Sequence, residues 1–351
     1  MKIALITDTH AGSRNDSLIF AEYFRKFYEN IFFPTLKERR ITDVIHLGDM
    51  FDRRKFINYR TLNSWKGMFF DPLKEMGGNV KIIIGNHDSF FKNTLKVNSP
   101  QELTKGMSHV TVYDKPTEVS LTDDHKVLFV PWICDDNEKE TKELIEKTRT
   151  KVAFGHLQLV GIEQNKGSYS IDGYSLSMFN AFQRVFSGHF HHRSTTGNIT
   201  YLGNPYEITW SDYNDPRGFH IYDTETMEVE FIENPYSMFY KIYYNDEKND
   251  YGDLSKYENC YVKIIIENRN NSYLFQILMD KLVDVGVGHI SIVDNLFDIE
   301  DMGDDIENME DVEDTMSIIK SCVESLQIEN KESLNLLMQN LYNEALMSET
   351  I

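Results

Sequence analysis

The sequence predicts a layered α/β domain, a small second α/β unit and a helical tail, on three observations. Short β-rich apolar runs alternate with amphipathic stretches over the first 235 residues. A strand-helix-strand pattern follows at about 257–293, and a strongly acidic stretch then precedes two stripes of helical period.

Taken in order, KIALI (2–6), DVIHL (43–47), VKIII (80–84), KVLFV (126–130), KVAF (151–154), RVFS (184–187) and ITYL (199–202) are apolar runs of strand length, separated by turns. Helical spacing fills the gaps at about 17–31, 58–76 and 138–148. YVKIIIE, YLFQILMDKLVDV and HISIV then read as strand, helix and strand. Residues 294–314 carry 11 acidic side chains and no basic one, the composition of a self-repelling, poorly ordered linker. From Val312 near its end onward, Val312, Met316, Ile319, Val323 and Leu326 recur at helical spacing, as do Leu334, Leu337, Leu341 and Ala345. The chain thus divides into 1–235, 236–293, 294–314 and 315–351. It holds no internal repeat and no phosphate-binding G-x-x-x-x-G-K-[ST].

Composition narrows the class. At 351 residues the chain is long for one core, and 41% hydrophobic with 13% aromatic residues suffices to bury a large one. The opening MKIALITDTHAG runs into Asp8 and His10 instead of a small-residue cleavage site, and no run approaches a membrane span. Cys134, Cys260 and Cys322 lie far apart, which argues against a disulfide framework and a thiolate zinc site; a cytoplasmic protein with no membrane partner is expected. The net charge of -20 is unevenly spread. Residues 1–235 hold 28 basic against 32 acidic side chains, and the remainder 8 against 24. The acidity therefore belongs to the tail and does not exclude a nucleic-acid partner for the large domain, where Arg53, Arg54, Lys55 and Arg60 cluster.

Five predicted strands end in a short polar cluster of metal-ligand type. KIALIT ends in Asp8-Thr9-His10, DVIHLG in Asp49, VKIIIG in Asn86-His87-Asp88, KVAFG in His156, and RVFSG in His189-Phe190-His191. Each alone could be a turn or cap residue. Strands of one sheet deliver their carboxyl ends to a common rim, however, so five such clusters together point to a bound ion. Glycine precedes four of the five, as suits a sharp turn near a ligand. Imidazole, carboxylate and carboxamide without thiolate suit open catalytic metal sites.

The ordered set D-x-H, G-D, G-N-H-D, G-H and G-H-x-H resembles the calcineurin-like metallophosphoesterase superfamily over residues 1 to about 235. That resemblance implies a two-layer β-sandwich flanked by helices, with two divalent ions at one rim. Manganese is the first expectation, with magnesium, iron and zinc left open. It implies that Asp8, His10 and His191 hold one ion, that Asn86, His156 and His189 hold the other, and that Asp49 bridges them. It further implies phosphoester hydrolysis by in-line displacement between the two ions, with His87 acting on the transition state or leaving oxygen. Asp52 would orient His87, Arg53 would face the phosphate, and Asp88 would support the site from behind. Asp52 as a turn residue is the alternative. His192 matches no motif position and reads as an exposed loop residue.

Beyond these motifs, VYDKPT (112–117), PWIC (131–134), YLGNPYEIT (201–209) and NDPRGFHIYDTET (214–226) resemble the SbcD-type DNA repair nucleases of the meiotic recombination eleven family, most closely its phage members. The resemblance implies a DNA exo/endonuclease subunit, with 236–293 as a capping domain and 315–351 as the segment that binds an SMC-like ABC-type ATPase; tail helices that fold back to complete the small domain are the alternative. A homodimer is implied as well. The stretches 17–31 and 58–70 carry Phe20, Phe24, Phe27, Trp65 and Phe69, more exposed-looking aromatics than one face needs; core packing explains some of them, but family members pair at this place. A phosphoprotein or nucleotide phosphatase is the runner-up, since GDxxDR and GNHD occur there too. The C-terminal 116 residues, which a compact phosphatase would not need, count against it.

Overall fold

A computed structural model describes residues 1–248 and 251–294, with the single positions Val323, Lys331, Leu334, Leu337 and Met338. The acidic stretch from 295 on, and all but those five positions of the tail, lie outside the described residues. The large unit contains β1 (Lys2–Ile6), β2 (Asp43–His46), β3 (Asn79–Ile83), β4 (Val110–Tyr113), β5 (Thr117–Thr122), β6 (His125–Val130) and β7 (Val152–His156). It continues with β8 (Glu163–Asn165), β9 (Ser168–Tyr169), β10 (Arg184–Gly188), β11 (Ser194–Thr196), β12 (Ile199–Tyr201), β13 (Gly218–Asp223) and β14 (Glu228–Glu233). Two six-stranded sheets result, in the orders β14-β13-β1-β2-β3-β4 and β11-β12-β10-β7-β6-β5, while β8 and β9 form a separate hairpin.

The two sheets face each other, and the pattern of β1 shows why its run is apolar throughout. Ile3 and Leu5 point between the sheets with Ile45, Phe129, Phe154 and Phe186. Ala4 and Ile6 point the other way, into a core shared with the helices. A strand buried on both faces cannot alternate with polar residues. The outer face of the second sheet is covered by Ile145 of helix Glu138–Lys147 and by Phe179 and Phe182. This is the two-layer β-sandwich flanked by helices that the resemblance implies.

The first helical segment runs further than expected, to Arg39, and the second keeps to its expected bounds. Leu18–Phe27 continues through a π turn at Tyr28–Phe32 into Phe33–Arg39, and Tyr59–Trp65 passes through a second π turn at Lys66–Phe70 into Asp71–Glu75. In each case a proline, Pro34 or Pro72, opens the next helical stretch, so its missing N–H is absorbed by the wider turn. The aromatics on these helices are not exposed. Phe20, Phe24, Phe27, Trp65 and Phe69 have at most 3% of their surface accessible and build the largest core cluster with Tyr28, Phe32 and Tyr206. They therefore give no ground for a dimer, because the layer of helices packs its aromatic stripe onto the sheet beneath.

The second unit is a parallel three-stranded sheet, β15 (Phe239–Asn245), β16 (Tyr261–Asn268) and β17 (His289–Asp294), crossed by helix Ser272–Val285. The Asn271 side chain accepts from the N–H groups of Tyr273 and Leu274, and Gly286 at φ 81 ends the helix. The two units are joined tightly. Met238 and Phe239 are buried in the large core, and the Glu207 carboxylate accepts hydrogen bonds from their backbone N–H groups at 2.6 and 2.9 Å. Among the five tail positions, all helical, Val323 is buried. No helix of the described residues is long and apolar enough to cross a membrane.

Candidate active site

Parallel neighbours β1, β2 and β3 in one sheet, and β7 and β10 in the other, bring their carboxyl ends to one rim. The residues that leave those ends meet there. The ligand atoms of Asp8, His10 and His191 lie within 4.8 Å of one another, and so do those of Asp49, His156 and His189. Asp49 Oδ2 stands 3.2 Å from His156 Nε2 and 3.9 Å from His10 Nε2, between the two groups. Asn86 Oδ1 joins the second group at 3.0 Å from both His156 Nε2 and His189 Nδ1.

The backbone is bent to achieve this. Asp8, His10, Asp49 and His189 all have positive φ, at 50, 42, 52 and 91°. Such conformations are uncommon for side chains with a Cβ and cluster at functional sites. The preceding glycines make room. A Cβ on Gly85 would lie 2.1 Å from Asp49 Oδ1, and one on Gly188 would lie 2.0 Å from Thr7 Oγ1 and 2.8 Å from Asp8 Oδ2.

A layer of hydrogen bonds behind the rim sets each donor. His156 gives Nδ1–H to the Leu47 carbonyl at 2.8 Å, which leaves Nε2 aimed at the rim. Asp8 accepts from Thr7 Oγ1 at 2.6 Å and from the His189 N–H. Asp88 accepts from the backbone N–H groups of Gly85, Asp49, Met50 and Phe51, and so ties the β3 loop to the β2 loop. A further brace was not expected from the sequence. His46 accepts the Gly48 N–H at Nδ1, so its Nε2–H donates to Thr9 Oγ1 at 2.9 Å, which in turn donates to the Met50 carbonyl. The signal was a histidine inside the apolar run of β2. Trp132, within PWIC, lies with its ring 5.0 Å from that of His189.

Charge at the rim is sharply divided. Burial opposes the positive charge on His10, yet Asp52 and Asp49 raise it to about 10, and Asp49 likewise raises buried His156 to about 9. Burial, reinforced by a neighbouring imidazole, lowers His191 to about 3 and His189 well below the usual histidine range. Asp49 stays well below the usual carboxylate range despite its burial, chiefly through His156, while burial pushes Asp8 up to about 6. His10 Nε2 and His191 Nε2 face each other at 3.1 Å, and at most one can carry the proton between them. Buried carboxylates, facing ring nitrogens and one amide oxygen, with no thiolate, make a donor set that fits two divalent cations.

Three residues sit otherwise than expected. The ring of His87 is held through Nδ1 by the backbone carbonyl of Asp52 at 2.7 Å, whereas the Asp52 carboxylate turns to His10 Nδ1 at 3.3 Å. The Arg53 guanidinium bonds to Asp16 at 3.0 Å and to Asn15, and lies 4.9 Å over the Phe56 ring. It is committed to the 12–16 loop because that loop supplies both acceptors. His192 is not an exposed loop residue, since its Nδ1 lies 2.8 Å from Asp215 Oδ2 and the side chain is 13% exposed.

Residues 1–193 match the calcineurin-like phosphoesterase family. The chain is 31% identical over 350 residues to exonuclease subunit 1 of Enterobacteria phage T4, covering 98% of this chain and 99% of that protein. It is 22% identical over 256 residues to the SbcD component of the SbcCD nuclease of Staphylococcus saprophyticus, covering 65% of this chain and 67% of that protein. A solved archaeal phosphodiesterase overlays with a TM-score of 0.35 at 17% identity, over 67% of this chain and 100% of that one.

Proposed function

The chain belongs to the calcineurin-like phosphoesterase family, whose members use divalent metals, and from that premise we propose that it is a two-metal DNA nuclease. The carrying observation is the pair of donor groups on one rim with Asp49 between them. Similarity along nearly the whole chain to a phage exonuclease subunit supports DNA as the substrate over a phosphoprotein or nucleotide. In this reading Asp8, His10 and His191 would hold one ion and Asn86, His156 and His189 the other, with Asp49 serving both. The ions would supply Lewis acidity to the phosphoryl group. The chain's own residues do the rest. His87 belongs to neither donor group. With Nδ1 committed to the Asp52 carbonyl, Nε2 is the nitrogen left to meet the transition state or leaving oxygen. Asp52 thereby positions His87 through its main chain and His10 through its carboxylate. Arg53 would have to exchange Asp16 for a phosphate to take part.

The test compares manganese-dependent release of nucleotides from linear duplex DNA with hydrolysis of p-nitrophenyl phosphate. Cleavage of DNA with little monoester hydrolysis is expected; the reverse would make the chain a phosphatase.

Partnership with an SMC-like ATPase rests on the likeness to the SbcD component of the SbcCD nuclease, and the tail 315–351 is the proposed contact. Deleting 312–351 should leave basal cleavage of short DNA intact and remove stimulation by the ATPase; undiminished binding of the ATPase would refute this. Self-association would have to use a different apolar set from the one the sequence suggested. Phe56, Tyr59, Phe90, Phe91 and Val97 are 63, 87, 39, 47 and 43% exposed on the segments that follow the Asp49 and His87 motifs. Light scattering at 41.1 kDa, the mass of one chain, would exclude a dimer.

A further inference from the structure

Behind His191 lies a buried ion-pair cluster that touches no other candidate ligand. Arg217, 4% exposed, precedes β13 and donates through Nη1 to the His191 carbonyl and, at 2.5 Å, to Asn204 Oδ1. Its Nη2 lies 3.1 Å from Asp212 Oδ1 and 2.8 Å from Asp215 Oδ2. Asp212, fully buried, is itself fixed by the N–H groups of Ile208 and Thr209 at 2.7 and 2.9 Å. Asp215 completes the circuit by taking His192 Nδ1 at 2.8 Å. The His191 carbonyl also accepts the Asn204 N–H at 3.2 Å, and a Cβ on neighbouring Gly203 would come within 2.7 Å of that oxygen.

An arginine with buried Asp212 and half-buried Asp215 at one nitrogen, and the His191 carbonyl and Asn204 Oδ1 at the other, is a rigid fork, and the one main-chain group it grips is that of His191. The peptide it grips determines where the imidazole of His191 points. His189, two residues earlier, is oriented separately, by its N–H to Asp8 and its Nδ1 to Asn86. Resting on the donor assignment above, we infer that Arg217, buttressed by Asp212 and Asp215, is a positioning residue for one metal only, the one held by Asp8, His10 and His191.

The asymmetry is what the test reads. Lysine at 217 keeps the charge that balances Asp212 and Asp215 but cannot reproduce the fork. Manganese titration of the full chain, by calorimetry and electron paramagnetic resonance, should show Arg217→Lys with one site weakened about tenfold, the order expected when a ligand's supporting partner is lost, and the other unchanged. Asp215→Asn should weaken the same site less, and it serves as the test should Arg217→Lys fail to fold. His191→Ala is the control and should lose that site outright. Equal weakening of both sites would show a merely structural role and overturn the inference. So would two unchanged affinities in Arg217→Lys alongside the loss of one site in His191→Ala. Two intact sites in His191→Ala would instead bring down the donor assignment itself, and the inference with it.

Discussion

Glu207 offers a quantitative test of how the two units are joined. Glu207 is 4% exposed and its carboxylate holds the N–H groups of Met238 and Phe239 at the entry to the capping sheet, yet burial outweighs those bonds and raises it from 4.5 to about 7. Between those pH values the folded protein keeps a proton that the unfolded chain has released. A carboxyl group raised in this way stabilises least at high pH: its penalty is absent below the unfolded value, grows as pH rises through the window, and is complete above the folded value. A gap of this size corresponds to about 3 kcal/mol. Glu207→Gln keeps an acceptor oxygen for the same N–H groups and removes the ionisation. Relative to the natural protein, the variant should gain about 3 kcal/mol between pH 4.5 and pH 8. Urea unfolding of the metal-free full chain can read this through tryptophan fluorescence, because the Trp210 ring lies 4.7 Å from that of Phe239. A stability difference that is the same at both ends of the pH range would refute the reasoning.

The remaining predictions concern the rim. His87→Gln should abolish cleavage with both metals still bound; metal analysis showing one ion lost would make His87 a ligand. Asp49→Asn should weaken both ions together, and independent, unchanged occupancies would sink its bridging role. Because His10 and His156 are raised to about 10 and about 9, metal loading at pH 7.5 must displace protons from both, and affinity should climb with pH through that range. Calorimetry in buffers of different ionisation enthalpy should count about two protons released, and none released would contradict the charge pattern described for the rim.

The strand ends were legible because a run such as KIALIT announces both its burial and its polar terminus, and the sheets bring those termini together as sequence logic expects. The first capping strand was not. FYKIYYN mixes tyrosines and a lysine, and its pairing with β16 is visible only in three dimensions. The aromatics of the helical layer were misjudged because periodicity shows which face is apolar and not how much lies beneath it. Asp52 shows a finer limit. A motif places a residue, but it does not say whether the carbonyl or the carboxylate will be used, and here each serves a different histidine. His46, Arg217 and Asp215 lay in view with nothing to reveal their partners, which come from residues between 2 and 37 positions away.

The left-handed backbone at Asp8, His10, Asp49 and His189 bears on how this protein meets its cations. A rim whose curvature is dictated by glycine clearances and strand ends is shaped before any ion arrives, so its entropy cost is settled during folding and not during capture. Exchange of one divalent ion for another should then need no remodelling of the chain. The ion carried in the cell would follow supply more than selectivity. Amide hydrogen exchange at the rim should accordingly be nearly the same with and without manganese, and a rim that becomes protected only on loading would show that the metal, and not the fold, does the shaping.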